Sequence, residues 1–139
     1  MTTAIFSFLG IIIGASLQYF FTRHLDNQKH YRELRTKAYT DYLKCVSEHA
    51  NLGKQRQSPE GRELSKNTAD AKCRICLYGS SSSVGAFAEF ERIGATMNTP
   101  EQCNAFTRMV AIMRNDSSGG RQVELKDLET VLLGVQHHA

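Results

Sequence analysis

The 139-residue sequence has no tryptophan, only two prolines (Pro59 and Pro100), and few β-branched residues alternating with polar ones. Strands want such alternation and helices tolerate few prolines, so the composition favours helix over sheet. Strong charge of one sign is also missing: the formal net charge is +3, with Lys and Arg spread along the chain. With no helix-turn-helix pattern and no aromatic RNA platform, nucleic acid is not an expected partner. Acids lie scattered among bases, which leaves no carboxylate pair for acid–base catalysis. No serine sits in a nucleophile elbow, and Gly119-Gly120 lacks the strand, lysine and helix of a phosphate loop. His24, His30, His49, His137 and His138 form no metal-ligand spacing, and His137 and His138 fall in an expected frayed tail. These absences predict a chain that is not an enzyme, takes no small-molecule substrate and uses neither cofactor nor metal.

What is present begins at the N-terminus. Residues 4–21 (AIFSFLGIIIGASLQYFF) carry no charge. As a helix rising about 1.5 Å per residue this run reaches about 27 Å, close to the roughly 30 Å hydrocarbon core of a bilayer. Phe6 and Phe8 lie near one end, and Tyr19, Phe20 and Phe21 near the other, where amphipathic rings suit an interface. A cleaved secretory signal wants a basic start and a small-x-small site; here Met1-Thr2-Thr3 has no basic side chain and the run ends in bulky aromatics. The expectation is a retained transmembrane anchor over residues 1–22, followed by a cytosolic domain over 23–139. Arg23, Lys29, Arg32, Arg35 and Lys37, with His24 and His30, outweigh Asp26 and Glu33 after the run, and only the α-amino group precedes it. Positive flanks stay in the cytoplasm, which predicts an outside N-terminus in a bacterial inner membrane. The same basic stretch would meet anionic lipid headgroups, each charge adding about 1 kcal/mol. Gly10 and Gly14 form a GxxxG pair, and Phe6 and Gln18 continue its face. Small residues let two helices approach closely, and a Gln can hydrogen-bond across the contact.

The remainder reads as an all-α, antiparallel helical bundle of about four to five helices. Residues 23–52 contain neither Gly nor Pro, and Tyr31, Leu34, Ala38, Tyr42, Cys45 or Val46, and His49 recur at helical steps. The helix is expected to continue from the anchor. Residues 53–57 read as a loop, and Ser58-Pro59-Glu60 supplies an N-cap, a first-turn proline and an early acid. Leu64, Ala71, Ile75 and Cys76 or Leu77 are the expected buried side of this second helix, with Gly79 as a left-handed cap. Residues 80–83 read as a polar turn. Val84, Phe87, Phe90 and Ile93 or Gly94 mark a third helix, and Thr99-Pro100-Glu101-Gln102 predicts a capping box opening a fourth. Phe106, Val110 and Met113 continue it, residues 115–120 (NDSSGG) read as a loop, and residues 123–133 form a last short helix.

Cys73 and Cys76 make a CxxC, but near the end of a predicted helix rather than at the N-terminus where the dipole would activate a thiol. A structural zinc site wants a second close pair, and Cys45 and Cys103 are isolated. The four cysteines therefore read as buried, reduced structural thiols, with a redox role for Cys73 and Cys76 as the lesser alternative. Two segments, Arg35-Thr36-Lys37-Ala38-Tyr39-Thr40-Asp41-Tyr42-Leu43 and Leu77-Tyr78-Gly79-Ser80 followed by Val84-Gly85-Ala86-Phe87, resemble those of a loose class of small bacterial inner-membrane proteins. That resemblance spans most of the chain and implies an anchored helical bundle with no activity. The expected function is a membrane-tethered, non-enzymatic interaction protein (an adaptor, regulator or immunity-like factor) with a protein partner. The alternative is a homo-oligomeric assembly that affects permeability.

Overall fold

A computed structural model describes residues 1–52, 57–120 and 122–134. The fold is an all-α helical bundle. It comprises α1 (Thr2–Leu52), α2 (Pro59–Tyr78), α3 (Ser81–Arg92), α4 (Pro100–Ser118) and α5 (Leu125–Leu133), with no strand among the described residues. The loop expected over 53–57 lies, apart from Gln57, outside the described residues.

The chain divides into two compact units, Met1–Glu33 and Leu34–Ala139, and the division falls within α1. Unit 1 is helical from Thr2 onward, and every residue in it is exposed. Its most apolar window has a mean hydropathy of 1.8 and 0% of it is buried. By length and composition, α1 is a helix able to cross a membrane.

Unit 2 holds the core. The C-terminal part of α1 gives Ala38, Tyr39 and Tyr42, α2 gives Ala71 and Ile75, and α3 gives Phe87 and Phe90. Phe106, Met109, Val110 and Met113 of α4 complete it. Tyr42 meets Phe87 edge-on at 4.8 Å between ring centroids, and Phe90 lies 5.4 Å from Phe106. Such pairs add to plain burial because the positive edge of one ring meets the negative face of another. α4 packs along both α3 and α5, although α5 buries no residue completely.

The helix starts match their sequence signals. Ser58 accepts from the Gly61 N–H at 3.1 Å with Pro59 in the first turn. Thr99 accepts from the Gln102 N–H at 3.2 Å while Gln102 Oε1 accepts from the Thr99 N–H at 3.1 Å, closing the capping box. The helix ends differ. Gly79 is extended, at φ −65°, rather than left-handed. Its lack of a side chain serves a close approach: a Cβ there would stand 2.5 Å from the Ile75 carbonyl oxygen and 3.3 Å from Val84 Cγ2. Residues 80–83 are not a turn; Ser80 caps α3 and Ser81 already belongs to it. The run NDSSGG is not a loop up to Ser118, since α4 continues through it and stops at Gly119, whose φ of 74° is the left-handed cap. On α2, Cys76 and Leu77 are exposed rather than core, and on α1 Tyr31 is exposed while Tyr39, off the expected stripe, is buried.

Candidate functional site

The polar centre of unit 2 is built where the α2–α3 joint meets α1 and α4. The extended Gly79 lets the chain reverse within two residues, so Ser80 arrives already positioned as the cap of α3. Its Oγ accepts from the Ser83 N–H at 3.1 Å and donates to Asp116 Oδ2 at 2.5 Å. Asp116 sits near the C-terminal end of α4, and the same Oδ2 accepts from Ser83 Oγ at 2.6 Å and from the Tyr39 hydroxyl at 2.7 Å. Tyr39 in turn accepts from the Ser80 N–H at 3.2 Å. Beside this node, Arg35 Nε donates to the Tyr78 carbonyl at 2.7 Å, and Thr36 Oγ1 donates to Ser117 Oγ at 3.1 Å.

Charge and burial compete at this node. Burial pushes the Asp116 carboxyl upward, but the hydroxyl bonds from Ser80, Ser83 and Tyr39, with the Arg35 charge, outweigh it and hold the group below its ordinary value. The start of α3 also favours a negative charge there. Burial raises the Tyr39 phenol, with Asp116 adding to the rise. A carboxyl moved down and a phenol moved up leave the pair with fixed protonation at neutral pH. What the cluster does is fasten α1, the α2–α3 joint and α4 to one carboxylate. A shallow groove of about 300 Å³ runs beside it over Thr36, Tyr39, Leu43, Val110 and Met113.

The residues singled out from sequence occupy different places. Gly10, Gly14 and Gln18 are exposed on α1 in unit 1, and a Cβ at either glycine would meet nothing within 4 Å. Arg23, Lys29 and Arg32 are exposed in unit 1, and Lys37 is exposed in unit 2. Arg35 belongs to the bundle: it is half-buried and bonded to Tyr78. Cys45 and Cys103 are buried as expected of structural thiols, whereas Cys73 and Cys76 are exposed, because the side of α2 that packs runs through Leu64, Ala71 and Ile75. His24 lies 3.0 Å from the Gln28 amide, and His49 Nε2 lies 3.0 Å from Thr68 Oγ1 on α2. His137 and His138 are outside the described residues. Among the described residues no group of three or more His, Cys, Asp and Glu is placed to hold a metal ion.

The Asp116 node is what sequence reasoning missed. Tyr39 had a signal, since it adjoins Ala38 and widens the apolar stripe of α1. Asp116 had none, because its partners are far away in the chain. No protein-family model matches the chain, and no curated protein or solved structure matches it.

Proposed function

We propose that the protein is a membrane-tethered, non-enzymatic interaction protein. In this reading the apolar end of α1 crosses a bacterial inner membrane with the N-terminus outside. The bundle formed by unit 2 then meets a protein partner at the cytoplasmic face. The observation that carries the reading is the apolar window of α1, of which 0% is buried by the rest of the chain. So long an uncharged helix, left uncovered in water, would cost free energy over its whole circumference, and a bilayer removes that cost. The excess of basic residues after the run supports the orientation, and Arg23, Lys29 and Arg32 are exposed where lipid headgroups would meet them. Tethering also raises the local concentration of a weak binder near a membrane-bound target.

The test is affinity purification of the full chain from gently solubilised membranes, with mass spectrometry and sizing. A stoichiometric second protein is expected. Recovery of the chain in the soluble fraction would remove the membrane reading. A second reading, homo-oligomeric assembly acting on permeability, is favoured by the open space around Gly10 and Gly14 on an exposed helix face. Its mark is recovery of the chain alone as a discrete oligomer that Gly10→Ile or Gly14→Ile disperses.

A further inference from the structure

One exposed edge of α2 carries two thiols. Cys73 and Cys76 are free and exposed, in contrast to the buried Cys45 and Cys103. Residues three apart on a helix share a face, with Cβ atoms about 5–6 Å apart. A disulfide wants about 3.5–4.5 Å between its Cβ atoms, so forming one here would distort the helix. An ion held between the sulfurs asks less. With metal–thiolate bonds of about 2.3 Å, two sulfurs on opposite sides of an ion stand about 4.6 Å apart. Staggered rotamers of two exposed cysteines one turn apart can meet that span.

The surroundings select among ions. Ala69 and Leu77 flank the thiols along the helix, are exposed, and bring no side-chain ligand. Asp70, one turn before Cys73, has its Oδ2 engaged by Arg74 Nε at 3.0 Å. Two soft ligands with no third partner make a poor tetrahedral zinc shell, and a worse site for magnesium or calcium, which want oxygen. They suit a soft monovalent ion, and thiolate ligands select Cu(I). We infer that Cys73 and Cys76 form a two-coordinate thiolate site for Cu(I). Binding forms two copper–sulfur bonds and releases both thiol protons to solvent, leaving a bridged dithiolate of net charge −1. Copper keeps its oxidation state throughout, so no oxidant or reductant is consumed.

The experiment is an anaerobic titration of the reduced full-length chain, in mild detergent, with Cu(I) against a chromogenic Cu(I) chelator. One ion per chain should be withheld from the chelator, and Cys73 and Cys76 should become protected from alkylation together. Because two linked ligands outbind one, Cys73→Ser or Cys76→Ser should weaken retention at least about a hundredfold. Both positions are exposed, so the serine variants should keep the helical circular-dichroism spectrum. They also retain Cys45 and Cys103 as an internal control for the other thiols. Equal retention by the Cys73→Ser, Cys76→Ser double variant would overturn the assignment. So would one ion shared between two chains, or Zn(II) displacing Cu(I) at equal concentration.

Discussion

Three hydroxyl groups, one from α1 and two from the start of α3, converge on a single oxygen of Asp116. Ser83 and Tyr39 are themselves buried, so removing the carboxylate strands donors where water does not reach them. Asp116→Asn should destabilise unit 2 by about 2 kcal/mol, within the range for hydrogen bonds to a charged group, as read from urea unfolding of the full chain in detergent. The pH dependence has a definite sign. The folded carboxyl lies below its ordinary value, so its contribution is complete above about pH 3.9, the unfolded aspartate value. It fades as the pH falls through the lowered folded value. The gap between the parent and Asp116→Asn should therefore be widest near neutrality and close on acidification; a gap independent of pH would mean the charge is not what matters. None of this was legible locally. Asn, Asp, Ser and Gly compete with the helical backbone for hydrogen bonds, so NDSSGG reads as a loop. Ser117 and Ser118 instead donate to the Met113 and Arg114 carbonyls within α4, and tertiary partners of Asp116 keep that end helical.

Helix starts and helix ends behaved differently as elements. A start is written in adjacent residues, because the capping side chain and the orphan N–H groups it satisfies lie within one turn. Ser58-Pro59 and Thr99-Pro100 therefore showed themselves in the sequence. An end depends on what the chain meets next. Gly79 looked like a left-handed cap, yet it is an extended residue pressed between the Ile75 carbonyl and Val84. The buried side of α2 was legible at Leu64, Ala71 and Ile75 but not at its end, where periodicity alone could not exclude Cys76 and Leu77. The cap of α4 has a further role that sequence did not reveal: Gln102 Nε2 donates to the Ile93 carbonyl at 2.7 Å, tying the capping box to the end of α3. Thr99→Ala should cost about 1 kcal/mol, the usual cost of a lost N-cap. Gln102→Ala, which removes the reciprocal bond and the tie to α3 together, should cost more when thermal unfolding of the two variants is compared. Equal costs would show that the bond to Ile93 contributes nothing.

At the scale of the whole molecule, one helix serves two environments. The apolar run was readable because a bilayer imposes a length and excludes charge, constraints visible without any tertiary contact. The stripe of α1 that enters the bundle was less so, since its choice of Tyr39 over Tyr31 depends on where the other helices pack. The proposed topology can be read with the chain's own side chains. Cys73 and Cys76 are exposed in unit 2, so a maleimide that cannot cross membranes should reach them. If the positive flank holds unit 2 in the cytoplasm, intact spheroplasts should leave both thiols unlabelled, and permeabilisation should expose them. The flank itself is then open to test. Arg23, Lys29 and Arg32 make no side-chain contact to the bundle, apart from the hydrogen-bond geometry of Arg23 to Tyr19 within α1. Replacing these three with Gln, and placing lysines after Met1, should therefore invert the topology without unfolding unit 2. Arg35 is kept, because its bond to the Tyr78 carbonyl belongs to the fold. Labelling in intact spheroplasts would then appear only in the recharged variant. Labelling of the parent chain in intact spheroplasts would instead place unit 2 outside, and the partner would have to be sought on that side of the membrane.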